Sequence, residues 1–286
     1  YPSKNISELI VGIGRDSRIS GPELTKEFIK VLSAFGVHVI DFEMATTPSM
    51  FMATQFEEFN CDATVMFTAS HLPYYYNGLK FFTREGGLES SDIRDIIALM
   101  DEKEELPQGS VSTIEVKSIF ERYSRHLVEL IRKGSQSEKE KPLEGLHIIV
   151  DAGNGAGGFF AKSVLEELGA KTEGSQFLDP DGTFPNHIPN PDNKEAMESI
   201  KKQVLAVNAD YGVIFDTDVD RAAIVTGSGE LLNRNNLIAV LSVIVISEHP
   251  GTTIVTNSPT TEHLKKFIMN LGGRQYRYIS GYRNVI

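Results

Sequence analysis

Three aspartates alternate with other residues in the segment Asp216-Thr217-Asp218-Val219-Asp220, and Arg221 follows directly. The apolar run Tyr211–Phe215 before them predicts a strand, so the carboxylates stand at a strand's carboxyl end, where α/β proteins place ligands. We expect the alternation to turn them to one side of an extended segment, where a hard cation such as Mg²⁺ would neutralise them. A solvated acidic turn is the alternative. A calcium EF-hand loop is excluded, because its sixth and twelfth positions would be Arg221 and Gly227.

A second polar loop, residues 68–73, carries Ser70 and follows the apolar run Ala63–Phe67, which predicts a buried strand. Ser70 is therefore displayed at the same kind of sheet edge and is a candidate nucleophile. A serine hydroxyl needs a base, a metal ion or prior covalent activation, and His71 is a candidate base, although loop neighbours rarely point the same way. Lys80 is a candidate acid or base if it is desolvated. The alternatives are a turn-forming serine and a surface lysine.

A glycine-rich segment at residues 153–158 matches G-x-G-x-x-G between a predicted strand and a predicted helix. Glu173 follows at about the distance, roughly 20 residues, at which a dinucleotide-binding fold places its ribose-binding acid. The segment therefore offers a nicotinamide-dependent oxidoreductase as a rival function. A tight turn with close helix packing is the favoured interpretation, because isolated glycine patterns are frequent.

Two arginines, Arg15 and Arg18, follow the first predicted strand at residues 9–12. Their guanidinium groups could clamp a phosphate through paired hydrogen bonds, because the fork of donors matches two phosphate oxygens. The alternative is that they pair with local carboxylates.

The predicted elements alternate in a way that positions these loops. Strands at residues 9–12, 37–42 and 63–67 alternate with helices that begin near Pro22 and Pro48, which is the β-α-β-α-β order of a parallel sheet. The order restarts with a strand at residues 146–150, and a third time at residues 253–256. Further helices are predicted at residues 92–100, 114–131, 159–168, 193–207, 237–246 and 260–271, and a hairpin at residues 222–226 and 231–232.

Composition restricts the function classes. Of 286 residues, 41% are hydrophobic and 23% are charged, which is typical of a globular α/β protein, and no apolar run approaches the roughly 18 residues of a membrane span. The net charge of −11 disfavours nonspecific binding to nucleic acid or an anionic membrane. The single cysteine, Cys61, cannot form an internal disulfide, so we expect an intracellular, reducing compartment. The chain shows no signal-peptide pattern, and we expect its true N-terminus to lie upstream of Tyr1.

Taken together, the motifs resemble the α-D-phosphohexomutase family, which includes phosphoglucomutase, phosphomannomutase and phosphoglucosamine mutase. The resemblance is carried, in this order, by Gly14-Arg15-Asp16-Ser17-Arg18, residues 68–73 with Asn77-Gly78-Leu79-Lys80, residues 151–157, residues 184–191, residues 216–221 and Gly281-Tyr282-Arg283. It implies repeated three-layer α/β/α domains with mixed, mainly parallel sheets. We therefore predict domain I at residues 1–133 with the serine loop, a linker at 134–142, domain II at 143–249 with the metal loop, and the start of domain III at 250–286.

The resemblance also implies a reaction, in which a phosphorylated Ser70 passes its phosphoryl group to a hexose monophosphate and recovers one from the resulting hexose bisphosphate. The substrate is then a small hexose phosphate, the cofactor Mg²⁺ and the activator a hexose 1,6-bisphosphate. The implied roles are metal ligands Ser70, Asp216, Asp218 and Asp220, positive charge from Arg18 and Arg221, and acid or base chemistry by His71 and Lys80. For Lys80 this role requires surroundings that lower its pKa.

Two departures from the family pattern matter. Leu72 stands where the family's serine loop usually has asparagine, so we expect the loop to be tied down differently. The family's sugar-selecting loop and fourth domain lie beyond Ile286, so we expect a truncated chain with little mutase turnover of its own. The residues present do not distinguish glucose, mannose and glucosamine phosphates as the substrate. The alternative function is a noncatalytic relative that binds a sugar phosphate or a partner.

Overall fold

The structure is a computed structural model that describes residues 4–100, 107, 112–135 and 137–279. Gly281, Tyr282 and Arg283, which contribute to the family resemblance, lie outside these residues. The chain divides into two compact units, Tyr1–Glu230 and Leu231–Ile286. The predicted domain boundaries stay a prediction.

The N-terminal part of the first unit is built around one six-stranded sheet. Its elements are β1 (Ile10–Arg15), α1 (Gly21–Ala34), β2 (His38–Met44), α2 (Thr47–Ala53), β3 (Ala63–Phe67), β4 (Leu79–Thr83), β5 (Gly86–Gly87), α3 (Ser90–Leu99), β6 (Ile114–Val116) and α4 (Ile119–Gly134). The strand order in the sheet is β5-β4-β3-β1-β2-β6. The strands β1, β2, β3 and β6 pair in parallel, and β4 and β5 continue the sheet antiparallel.

Both faces of this sheet are covered, which produces the expected three layers. On one face, Ile29 of α1 packs against Ile13 and neighbouring apolar side chains of β1, β2 and β3. On the other face, Met50 of α2 and Tyr123 of α4 belong to a second apolar cluster. The parallel strands are apolar on both faces because both faces are buried.

Two predictions for this region are wrong in part. Residues 114–131 do not form one helix, because Ile114–Val116 pairs with β2 as the edge strand β6 and the helix begins only at Ile119. A short Ile-Glu-Val run fits a strand and a helix equally well, and only the free edge of β2 decides between them. The helix predicted from Pro48 to residue 59 ends earlier, at Ala53.

The first unit continues with a second sheet in which β8 lies between β7 and β9. Strands β7 (Ile148–Asp151) and β8 (Tyr211–Phe215) are parallel, and β9 (Ala222–Thr226) is antiparallel to β8. Helix α5 (Lys194–Val207) covers one face. The helix predicted at residues 159–168 is present and takes the form of a π-helix at Ala161–Glu166, which follows a 3₁₀ turn at Ala156–Gly158. Its Ala161 and Leu165 cover the other face.

The space beside the glycines of the segment after β7 is occupied by backbone atoms of the protein itself. A Cβ atom on Gly155 would lie 2.6 Å from the carbonyl oxygen of Thr217, and one on Gly158 would lie 1.9 Å from that of Leu178. These glycines are needed for close packing and leave no space at those positions for a pyrophosphate. The geometry therefore favours the tight-turn interpretation over a dinucleotide fingerprint.

Gly158→Ala is expected to destabilise the protein by about 1–3 kcal/mol, because the added methyl group would overlap the Leu178 carbonyl and force the backbone apart. Gly134→Ala is a matched control: Gly134 ends α4, and a Cβ there would meet nothing within 4 Å. Urea denaturation of both variants measures the difference. Equal stability of the two would contradict the close packing.

The second unit contains β10 (Leu231–Leu232), α6 (Arg234–Glu248), β11 (Thr253–Asn257), α7 (Glu262–Asn270) and β12 (Arg274–Tyr278). The strands β11 and β12 pair in parallel, and Ile246, Leu264 and Ile268 form a small buried core. This is the predicted third β-α-β unit. None of the helices in the described parts of the chain combines the length and the apolar character needed to cross a bilayer.

Candidate active site

Ser70 lies in a tight loop directly after β3, in a left-handed backbone conformation with φ of +51°. Its amide donates a hydrogen bond to the Thr68 hydroxyl at 2.8 Å, and that hydroxyl donates to Asp16 Oδ2 at 2.7 Å. A left-handed serine costs free energy and persists only where its surroundings hold it, which is common at functional sites. The loop therefore displays the Ser70 hydroxyl in one orientation.

Arg18 lies behind this loop and is completely buried. Its Nε donates to Asp16 Oδ2 at 3.1 Å, and its two terminal nitrogens donate to four carbonyl oxygens of the serine loop, those of Ser70, Leu72, Pro73 and Tyr76, at 2.5–3.0 Å. All five N–H donors of the guanidinium group are thereby used. The geometry gives Arg18 the part of an anchor for the loop, rather than of a free phosphate clamp.

Leu72 is held by its backbone. Its carbonyl oxygen accepts from Arg18 at 2.8 Å, its amide donates to the Ala69 carbonyl at 3.0 Å, and its side chain is exposed. The loop in this structure is therefore tied down without an amide side chain at position 72.

The three aspartates after β8 converge through a turn, and the predicted extended segment is wrong. The Val219 amide donates to the Asp216 carbonyl at 3.2 Å, and Val219 has a φ of +62°, which a β-branched residue rarely adopts. One carboxylate oxygen from each of Asp216, Asp218 and Asp220 lies within 4.8 Å of the others. Alternation along a strand would have placed these residues farther apart than the turn does.

The serine loop and the acidic turn meet directly. The Ser70 hydroxyl donates to Asp216 Oδ2 at 2.9 Å, and His71 Nδ1 lies 3.4 Å from Ser70 Oγ. The expectation that the neighbouring serine and histidine side chains diverge is therefore wrong. Arg221 contributes its amide, which donates to Asp216 Oδ1 at 3.0 Å, and its side chain is exposed.

Lys80 reaches the same turn from β4, an antiparallel strand that was not predicted. Its ammonium group donates to Asp218 Oδ2 at 2.6 Å and to Asp220 Oδ2 at 2.7 Å. Burial alone would lower the pKa of Lys80, but the two carboxylates outweigh burial and raise it. The condition that the resemblance attached to an acid or base role for Lys80, surroundings that lower its pKa, is therefore not met.

The other titratable groups of the site are shifted in both directions. Burial, with the charges of Asp218 and Asp220, raises the pKa of Asp216 to about 8. Burial acts the same way on Asp218, but Lys80 outweighs it, so the pKa of Asp218 lies below its usual value. Burial, together with the positive charge of Arg221, lowers the pKa of His71. Perturbed pKa values of this kind cluster at functional sites.

The acidic turn fits a divalent cation on its own geometry. Asp218 is fully buried, and its Oδ1 atom has no hydrogen-bond partner. A buried carboxylate oxygen without a partner is costly, and a bound cation is one way to satisfy it. Hard oxygen donors of this kind suit Mg²⁺.

Two polar networks beside the site were not predicted. Thr47, the first residue of α2, donates a hydrogen bond from its hydroxyl to Asp218 Oδ2. In the second sheet, His187 lies between two acceptors, with Nε2 3.0 Å from Asp151 Oδ2 and Nδ1 3.0 Å from the Ile188 carbonyl oxygen. No local signal reveals Thr47, because its partner is 171 positions away. The segment that contains His187 was noted only as part of the resemblance.

His187 is expected to contribute stability that falls as pH rises. Burial opposes the charged ring, but the hydrogen bond and charge of Asp151 outweigh burial and raise the pKa of His187. A raised folded-state pKa contributes its full stability below the ordinary value of about 6.5 and loses it as pH rises through the folded value. The free energy of unfolding of wild type should therefore exceed that of His187→Gln by more at about pH 6 than at about pH 9.

His263→Gln is the control for this measurement, because His263 is exposed on α7. Its stability relative to wild type should not depend on pH in this way. A difference between wild type and His187→Gln that is the same at both pH values would show that folding does not raise the pKa of His187.

Comparisons with known proteins agree with the arrangement of the two sheets. The family model described as phosphoglucomutase/phosphomannomutase, alpha/beta/alpha domain I, matches residues 3–107, and the corresponding domain II model matches residues 121–229. The phosphomannomutase/phosphoglucomutase of Pseudomonas aeruginosa is 34% identical over 275 residues, which are 96% of this chain and 56% of that protein. The phosphoglucosamine mutase of a Sulfurovum species is 32% identical over 96% of this chain and 61% of that protein.

A solved structure agrees as well. The crystal structure of a phosphoglucomutase/phosphomannomutase family protein from Burkholderia thailandensis has a TM-score of 0.83 and 28% identity, and the match covers 96% of this chain and 58% of that one. The chain thus spans a little over half the length of the relatives that it matches.

Proposed function

Because the chain belongs to the phosphoglucomutase/phosphomannomutase family, we propose that it carries the phosphoryl-transfer half of a hexose phosphate mutase. Ser70 holds the phosphoryl group, and the reaction interconverts hexose 1-phosphates and hexose 6-phosphates. The matched relatives named as mutases of mannose, glucose and glucosamine phosphates support a hexose phosphate as the substrate class.

The observation that carries this proposal is the hydrogen bond between Ser70 Oγ and Asp216 Oδ2, 2.9 Å long. It joins a hydroxyl at the end of β3 to a carboxylate at the end of β8, 146 positions later. A serine that only formed a turn would not need this contact with a second sheet.

The residues suited to hold Mg²⁺ are Asp216, Asp218 and Asp220, together with an oxygen of the phosphorylated Ser70. When bound there, the ion would withdraw negative charge from the phosphoryl group, which is the main requirement of phosphoryl transfer. Asp218 supports this assignment most directly, because its Oδ1 is buried and unpartnered.

In the proposed step, a sugar hydroxyl oxygen attacks the phosphorus on Ser70, a new O–P bond forms, and the bond from Ser70 Oγ to phosphorus breaks. A base must take the proton of the sugar hydroxyl, and an acid must give a proton to the departing Ser70 Oγ. His71, whose Nδ1 lies 3.4 Å from Ser70 Oγ, and Lys80, whose ammonium group binds Asp218, are the proposed groups for these roles. The raised pKa of Lys80 keeps its ammonium group protonated, so Lys80 suits the acid's role and His71 the base's. Arg18 supports the step by holding the loop, and Arg221 by its positive charge near His71.

The test is to incubate the full chain with glucose 1,6-bisphosphate and Mg²⁺ and to locate phosphate by peptide mass spectrometry. We expect one phosphoryl group, on the peptide that contains Ser70, and none on Ser70→Ala. Ser90→Ala is a control, because Ser90 begins the surface helix α3 away from the acidic turn. Phosphate on neither the purified protein nor the treated protein would favour the noncatalytic relative.

A further inference from the structure

Thr47 holds Asp218 at two points. Its amide donates to the Asp218 carbonyl oxygen at 2.9 Å, and its hydroxyl donates to Asp218 Oδ2 in a short hydrogen bond. Thr47 belongs to α2, on the first sheet, whereas Asp218 lies in the turn that follows β8 of the second sheet. The two contacts therefore determine both where the turn lies and how one of its carboxylates is rotated.

The hydroxyl of Thr47 has a defined direction. Lys80 Nζ lies 3.3 Å from Thr47 Oγ1 and can only donate, so the hydroxyl oxygen accepts from the ammonium group and its proton points to Asp218. Thr47 is almost completely buried, so water does not compete for these bonds.

The two oxygens of Asp218 are consequently different. Oδ2 accepts hydrogen bonds from both Thr47 and Lys80, whereas Oδ1 is buried and has no hydrogen-bond partner. Partners outside the metal's own ligands orient carboxylate ligands in this manner in many metal sites.

We propose that Thr47 is the positioning residue that directs Oδ1 of Asp218 toward the cation. This inference rests on the metal site of the proposed function. Lys80 alone does not specify the rotation of the carboxylate, because its ammonium group also binds Asp220 at the end of a long, flexible side chain.

The test is to measure the dissociation constant of Mn²⁺, used as a probe of the site, by electron paramagnetic resonance for wild type, Thr47→Val and Thr47→Ser. Valine removes the hydroxyl at nearly constant volume, and we expect binding to weaken about tenfold or more. Serine restores the hydroxyl, and we expect affinity within about threefold of wild type. If the valine variant does not fold, Thr47→Ala removes the same hydroxyl without a second methyl group.

Thr46→Val is the matched control. Thr46 is the neighbouring buried residue, and its hydroxyl caps α2 by accepting from the Ser49 amide at 3.2 Å, without touching Asp218. The Thr46→Val variant should have a lower melting temperature than wild type and the same Mn²⁺ affinity. Equal weakening in Thr46→Val and Thr47→Val, or unchanged binding in Thr47→Val, would overturn the role of Thr47. No Mn²⁺ binding by wild type would overturn the metal site and this inference with it.

Discussion

Arg18→Met is expected to lower the free energy of unfolding by about 3–5 kcal/mol, the usual cost of removing one partner of a buried ion pair. Methionine has a similar length but no donors, so it leaves four loop carbonyls and the buried carboxylate of Asp16 without their partner. Burial already raises the pKa of Asp16 against the effect of Arg18, and removing the cation would raise it further. Because a domain is stabilised by only about 5–15 kcal/mol, this loss is a large fraction of the total.

Denaturant unfolding measures this effect, and Arg15→Met is the matched control. Arg15 lies three positions earlier and is partly exposed. Its side-chain hydrogen bond within the described residues is a weak 3.4 Å contact with the Asp16 carbonyl. We expect its removal to cost less than about 1 kcal/mol. In Arg18→Met we also expect slower phosphorylation of Ser70, because the serine loop is no longer held. A similar loss of stability in both variants would contradict the anchoring role of Arg18.

Asp218→Asn is expected to weaken divalent-cation binding by at least about a hundredfold, because loss of a ligand should cost more than the ten- to hundredfold loss typical of an orienting partner. The substitution keeps the shape of the side chain but removes the charge of one of the two fully buried carboxylates in the turn. Titration calorimetry with Mg²⁺, and the thermal shift that the ion produces, measure the loss.

Glu173→Gln is the control for this substitution, because it removes one negative charge from an exposed position outside the turn. It should bind Mg²⁺ as wild type does. If Asp218→Asn responds to the ion as strongly as wild type and Glu173→Gln do, the acidic turn is not the metal site.

The loop motifs and the alternation of the parallel strands β1, β2 and β3 with helices were predictable from the sequence, because they depend on local pattern. The run Ala63–Phe67 is apolar and bounded by polar residues, and it is a strand with the predicted bounds. The start of α1 near Pro22 was predictable for the same reason. The fold class and the family are confirmed.

The sequence alone determined which residues are the candidates for the chemistry, since Ser70 and the three aspartates are recognisable by type, spacing and place after a strand. Only the tertiary structure decided how they act together. Three contacts join residues that are 138 to 171 positions apart in the sequence. They are the hydrogen bond from Ser70 to Asp216, the ion pairs of Lys80 with two carboxylates, and the hydrogen bond from Thr47 to Asp218. Their side-chain directions depend on how two sheets dock and on left-handed residues such as Val219. Local periodicity contains no information about either, because both are set by packing between segments that are distant in the chain.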